Sequence, residues 1–285
     1  MPRFFKPLAA TFAMVCSAAV FAAPTATSAQ VRAYAPADSA KIHPGVQMYT
    51  DGAQCTGNFV FKDGAGRTYV GYAAHCAGLG AATDTNGCDT SSLPLGTRVR
   101  FASDGTVVTA GQTVGHGSLA YSAWRAMQRV GTTSANACDY NDFALVRVDA
   151  ADVKKVNPSV PFFGGPNGLN SRGTRIGESV YSYGSSSLRP PILHEKVGTS
   201  LGTSGGGWTH TVYTATPGIP GDSGSGFLDS TGKAFGTLST VAIAPFAGSN
   251  GVSDLSRELA FAQQHSGIAG LRLINGTEPF APPAG

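Results

Sequence analysis

The sequence is poor in charge. Asp, Glu, Lys and Arg make up 13 % of its 285 residues, about half the usual share of roughly 25 %. It also lacks an excess of either sign. The formal net charge is +3, and removal of residues 1–29, which hold Arg3 and Lys6 but no acid, would leave +1. A nearly neutral chain offers no electrostatic ground for nucleic acid or an anionic membrane as partner. Beyond about residue 22 no apolar run is long enough to span a bilayer. There is no Cys-x-x-Cys pair, and the cysteine spacings fit no zinc finger. Long helices are disfavoured too, because few Lys and Glu stand against 38 glycines and abundant Ser and Thr. That composition suits strands and turns.

The start of the chain reads as a secretory signal. Arg3 and Lys6 precede an apolar stretch from about Leu8 to Ala22, and small residues offer cleavage after Ala22 or Ala29. The expected destination is extracellular, with no membrane attachment after cleavage. Cys16 leaves with the signal, so Cys55, Cys76, Cys88 and Cys138 remain. An even number in an exported chain points to two disulfides, with three possible pairings.

Residues 30–44 read as a linker or short pro-segment. Asn58–Phe61 and Arg67–Tyr72 flank an Asp-Gly turn and form a hairpin. A register with Phe61 opposite Val70 brings Cys55 and Cys76 toward each other. That favours Cys55–Cys76 and leaves Cys88–Cys138 by elimination. Further strands are expected at Thr97–Phe101, Thr106–Val114 and Phe143–Val148, with a surface helix over Ser118–Val130. The Pro- and Gly-rich stretch Asn157–Asn170 divides the chain. Beyond it, strands are expected at Ser179–Tyr183, Pro191–Gly198, Gly207–Thr214, Gly226–Asp229 and Ala234–Ile243. Ser253 is placed to cap a helix over Asp254–His265 that Gly267 ends. Short strands with Gly-rich turns mean an all-β sandwich or barrel. With 285 residues the chain can hold one large or two smaller β domains.

Three motifs carry possible chemistry. His75 stands in Ala-Ala-His-Cys at the end of a strand, Asp142 in Asn-Asp-Phe-Ala-Leu-Val at the start of one, and Ser223 in Gly-Asp-Ser-Gly-Ser-Gly before another. A serine hydroxyl needs a neutral imidazole to take its proton. The imidazole needs a carboxylate to fix its tautomer and stabilise its protonated form. Gly221 and Gly224 leave the chain free to bend so that backbone N–H groups meet a developing oxyanion. The alternative hydrolase elbow, Gly-x-Ser-x-Gly, is not met, because Ser225 stands where its second glycine would be. Asp139 is the rival acid, but no strand follows it directly. The other histidines, His43, His116, His194, His210 and His265, form no Cys/His/acid cluster, so neither metal nor cofactor is called for.

These motifs, in this order, resemble those of the trypsin-like (chymotrypsin-fold) serine proteases, most closely the exported bacterial branch. The resemblance implies two packed antiparallel six-stranded β-barrels, about 45–157 and 158–270, the second including a C-terminal helix. Residues 271–285 read as a tail, loose from Pro279 onward. It implies His75 as general base, Asp142 as orienting acid and Ser223 as nucleophile. The N–H groups of Gly221 and Ser223 would form the oxyanion hole, and protein or peptide would be the substrate. Cys55–Cys76 matches the bridge that flanks the family's histidine.

Four departures stand against the pattern. Ser225 replaces the usual glycine after Gly-Asp-Ser-Gly, and Tyr72 stands where threonine is common. No Ile-Val-Gly-Gly start precedes the domain to pair with Asp222, for which Arg172 or Arg175 are the candidates. Finally, Pro217 occupies the position where trypsin-type members carry an acid, and Ser239, Thr240 and Val241 align with the substrate-binding segment. A narrowed, uncharged pocket would accept small or medium apolar residues. The competing expectation is a non-catalytic binding protein on the same fold.

Overall fold

The computed structural model describes residues 1–4, 34–80, 84, 86–190, 193–241 and 248–283. The chain divides into Met1–Arg32 and Ala33–Gly285. The expected signal segment and its cleavage positions lie outside the described residues.

Strands β1 (Gln47–Thr50), β2 (Ala53–Thr56), β3 (Val60–Lys62), β4 (Thr68–Tyr72), β5 (Arg98–Ser103), β6 (Gln112–Ser122) and β7 (Ala144–Val148) build the first half. Helices α1 (Ala123–Val130) and α2 (Ala135–Tyr140) lie between β6 and β7. The second half contains β8 (Ser179–Tyr183), β9 (Glu195–Ser204), β10 (Thr209–Thr214), β11 (Gly226–Leu228), β12 (Ala234–Val241) and β13 (Asn250–Asp254). Helix α3 (Leu255–His265) and strand β14 (Arg272–Leu273) follow. The second half is a closed six-stranded barrel, in the order β10-β13-β12-β11-β8-β9. The first is an antiparallel sheet ordered β14-β3-β4-β7-β6-β5-β1-β2, eight strands because the C-terminal β14 joins β3. The architecture is all-β, a closed barrel and a second antiparallel sheet, consistent with the expected chymotrypsin-like double barrel.

Side-chain alternation explains how the halves pack. Successive residues of a strand face opposite sides. Val60, Val70 and Val146 point into the first half's own core. Their neighbours Phe61, Tyr69 and Leu145 point the other way and join Phe143, Tyr181, Leu228, Leu255 and Leu259 in a second core. That shared layer welds the two halves together. A third cluster, including Val180, Phe227, Phe235 and Leu238, fills the closed barrel. Each such side chain contributes about 1.5–3 kcal/mol when fully buried. Phe143 lies edge-on to Phe61, with centroids 5.5 Å apart, and so anchors the chain between Asp142 and β7.

Several local expectations shift. The β3–β4 hairpin pairs Phe61 with Tyr69, not Val70. Its turn closes with Asp63 opposite Arg67, because the Asp63 carboxylate accepts the N–H groups of Ala65 and Arg67 and the Tyr69 hydroxyl. The Cys55–Cys76 bridge forms despite the shifted register, and Cys88–Cys138 forms as well. Residues 118–122 are strand rather than helix, because β6 is held between β5 and β7. Helix α3 begins one residue later than expected, capped by the Asp254 carboxylate, which accepts the Arg257 N–H. The final segment is docked rather than loose: β14 pairs with β3 and Phe280 lies against Tyr181 at 5.4 Å. The segment expected as a linker is also anchored, since Ile42 is buried and its N–H donates to Lys155 O.

Candidate active site

His75 lies on a single helical turn, Ala74–Ala77, at the end of β4. The Cys55–Cys76 bridge ties that turn to β2. Asp142 precedes β7, beside β4, and is buried. The pairing of β4 with β7 therefore sets imidazole and carboxylate side by side. His75 Nδ1 lies 2.7 Å from Asp142 Oδ2, and the His75 backbone N–H donates to Oδ1 at 2.8 Å. The Ser239 hydroxyl, from β12 in the second half, donates to Oδ2 at 2.6 Å. Asp142 thus receives three hydrogen bonds, of which the one from Ser239 crosses the joint between the halves. Burial opposes its charge, but the His75 charge and these bonds outweigh it and hold the carboxyl below its ordinary range. Burial likewise opposes protonation of His75, but Asp142 prevails and raises the imidazole above its ordinary value. Asp139 is exposed and accepts a bond from Asn86, so it is not the partner of His75.

Ser223 and His75 line one cleft of about 510 Å³. The loop that carries Ser223 depends on two glycines. Gly221 has φ +97° and Gly224 φ +90°, and a Cβ on Gly224 would meet Thr56 O at 2.4 Å. Accounting for the amides of residues 218–225 isolates two of them. The Gly218 N–H donates to Asn250 Oδ1, and that of Ile219 to Asp222 Oδ2. Asp222, Gly224 and Ser225 donate to Ile219 O, Leu238 O and Asp222 O, and Pro220 has no N–H. The N–H groups of Gly221 and Ser223 have no acceptor among the described residues, and both residues border the cleft. Ser225 fits where glycine is usual. Its φ is not positive, and its hydroxyl donates to Asp222 O at 2.6 Å. Tyr72 is accommodated inside the first core, its hydroxyl 3.2 Å from Thr50 Oγ1.

The candidate partners of Asp222 are corrected. Arg172 and Arg175 are exposed. The fully buried Asp222 instead meets Lys196 Nζ at 2.9 Å and Arg189 Nη2 at 2.6 Å. It also accepts the N–H groups of Ser186 and Ile219. Lys196 lies on β9 and Arg189 in the β8–β9 loop, neither close in sequence to Ser223, so no local pattern marked them. Burial disfavours the Lys196 charge most; Asp222 opposes that, and the net direction is downward.

Of the residues aligned with a substrate segment, Ser239 and Thr240 line the cleft, together with Ile219, Pro220 and Leu238. Pro217 does not line it but accepts Arg189 Nη2 through its carbonyl. The side chain of Val241 lies outside the described residues. The role of Ser239 toward Asp142 is one that sequence reading missed. Cys55, Cys76 and His75 have potential donor atoms within 4.8 Å of one another, but the sulfurs are bonded to each other and offer no thiolate to a metal.

Replacing Asp222 by Asn leaves Lys196 and Arg189 without a counter-charge. This is expected to cost about 3–5 kcal/mol, read by denaturant unfolding with disulfides intact. Lys196→Met, which leaves Arg189 against Asp222, is expected to cost less. Arg172→Ala and Arg175→Ala should stay within about 0.5 kcal/mol of the parent.

No protein-family model matches the sequence, and no curated protein matches it significantly. Solved structures do. Thermobifida fusca protease A superposes with a TM-score of 0.50 at 19% identity, over 82% of this chain and 99% of that one. The Nocardiopsis protease NAPase gives 0.46 at 18% identity, over 81% of this chain and 98% of that one. The chain therefore has the fold of the bacterial chymotrypsin-like serine proteases.

Proposed function

We propose that the protein is an exported serine endopeptidase that hydrolyses peptide bonds through an acyl-enzyme. One observation carries the reading. The two amides of the 218–225 loop without an acceptor among the described residues belong to Gly221 and Ser223, and His75, paired with Asp142, borders the same cleft. In this reading His75 Nε2 takes the Ser223 hydroxyl proton as Oγ bonds to the scissile carbonyl carbon. The carbonyl oxygen becomes an oxyanion between the Gly221 and Ser223 N–H groups. Protonated His75 gives its proton to the leaving amine nitrogen as the C–N bond breaks. Water then repeats the sequence on the ester. Asp142 keeps Nδ1 protonated and stabilises the imidazolium. One oxyanion donor contributes about 10²–10³ in rate.

The substrate class follows from the cleft walls. Ile219, Pro220 and Leu238 are apolar, and no Asp, Glu, Lys or Arg is among the described lining residues. Asp222 is turned away into its pairing with Lys196 and Arg189, so it offers nothing to a basic side chain. We read the preference as small or medium apolar residues before the scissile bond. The two disulfides and the N-terminal signal pattern support export. The binding-protein alternative leaned on Ser225, Tyr72 and the pocket residues; of these, Ser225 is held by its bond to Asp222 O and Tyr72 is packed in the first core.

A fluorophosphonate is expected to modify the folded protein at Ser223, located by mass spectrometry, and not to modify His75→Ala. A folded, disulfide-bonded protein that takes no label would contradict the reading and favour the binding alternative. Digestion of a peptide library is expected to give cleavage mainly after small and medium apolar residues. Cleavage mainly after Lys or Arg would refute the pocket assignment.

A further inference from the structure

We propose that Ser186, in the β8–β9 loop, is a positioning residue that holds the Gly221 amide turned toward the cleft. The inference rests on the protease reading above. In a trans peptide the C=O and N–H point in opposite directions, so whatever fixes the Pro220 carbonyl also aims the Gly221 N–H. The Ser186 hydroxyl donates to Pro220 O at 2.5 Å. The directions of its bonds are forced by chemistry. A carbonyl oxygen can only accept, and the Leu188 N–H, 3.1 Å from Ser186 Oγ, can only donate. The single hydroxyl proton is therefore committed to Pro220. Ser186 is buried, whereas Pro220 and Gly221 border the cleft, so the carbonyl points inward and the N–H outward.

The next peptide is held separately. Gly221 O accepts Thr56 Oγ1 at 2.8 Å and Gln54 Nε2 at 3.1 Å, both from β2. Between two pinned carbonyls sits a glycine at φ +97°, the residue type with the least resistance to rotation. Without the Ser186 bond, little restrains the 220–221 peptide from turning its carbonyl toward the site, where it would repel an oxyanion. The Ser186 backbone N–H also donates to Asp222 Oδ1 at 3.0 Å. One residue thereby ties the oxyanion peptide to the buried ion cluster.

The test compares ligands that do and do not form an oxyanion. For Ser186→Ala, kcat on a peptide substrate should fall by about 10–100-fold, part of the loss expected for a missing oxyanion donor, while KM changes less than about threefold. A peptide aldehyde, which forms a hemiacetal with Ser223, should bind correspondingly more weakly. The matching peptidyl alcohol, which forms none, should bind as to the parent protein. Ser186→Thr, which keeps the hydroxyl, should restore the parent's aldehyde-to-alcohol affinity ratio. An unchanged ratio in the Ala variant, an equal loss for both ligands, or a Thr variant as poor as Ala would overturn the proposal. Failure of the parent protein to turn over peptide or take a fluorophosphonate would instead overturn the protease reading itself.

Discussion

The pairing of Asp222 with Lys196 and Arg189 is the constraint on which the candidate site depends. A carboxylate with no exposure to water persists only if its charge is met and its lone pairs are filled. Here two cations and two backbone N–H groups meet it. Asp222 is adjacent to Ser223, so these contacts fix the loop from both sides. Lys196 and Arg189 also reach Pro217 O, drawing the start of the loop onto the same centre. The remaining amides of the loop are consumed one by one, and those of Gly221 and Ser223 have no acceptor among the described residues. A charge buried for structural reasons thereby orders the loop whose Gly221 and Ser223 border the cleft.

A second buried carboxylate joins the halves of the molecule. Asp142 belongs to the first half, yet Ser239 of the closed barrel donates to it. Phe143, the next residue, is packed in the core that both halves share. Apolar packing sets the relative position of the halves, and the hydrogen bond reports it at the site. The same logic applies to Thr56 and Gln54, which reach from the first half to Gly221 O. The cleft is lined from both halves, so His75 and Ser223 share it only if that common core is intact.

Patterns carried by neighbouring residues were legible in the sequence, and those carried by distant ones were not. Strand Ser179–Tyr183 is found as expected, because its alternation and flanking turns are local. Both disulfides were reachable from cysteine parity and the hairpin. The hairpin register slipped by one residue because the Asp63 side chain organises the turn, which a turn dipeptide does not reveal. The expected helix over 118–130 lost its first half to β6, where pairing on both edges outweighs local preference. The nominated histidine and aspartate come together as their motifs implied. The partners of Asp222 were missed because Lys196 and Arg189 reach it through the folding of the second half and not through any pattern near Ser223. Ser239 was read as a pocket wall; its bond to Asp142 depends on how two domains dock.

The central claim is that His75, held by Asp142, activates Ser223. Its most direct test is the pH dependence of the rate of fluorophosphonate modification. The base acts only when neutral, and Asp142 raises the imidazole above its ordinary value of 6.5. The rate should therefore be low in acid and rise through one ionisation centred above 6.5 before reaching a plateau. In Asp142→Asn the raising charge is gone and burial remains, so the midpoint should move down in pH while the plateau falls by roughly ten-thousand-fold. A rate independent of pH, or one whose midpoint is unmoved in Asp142→Asn, would contradict the account.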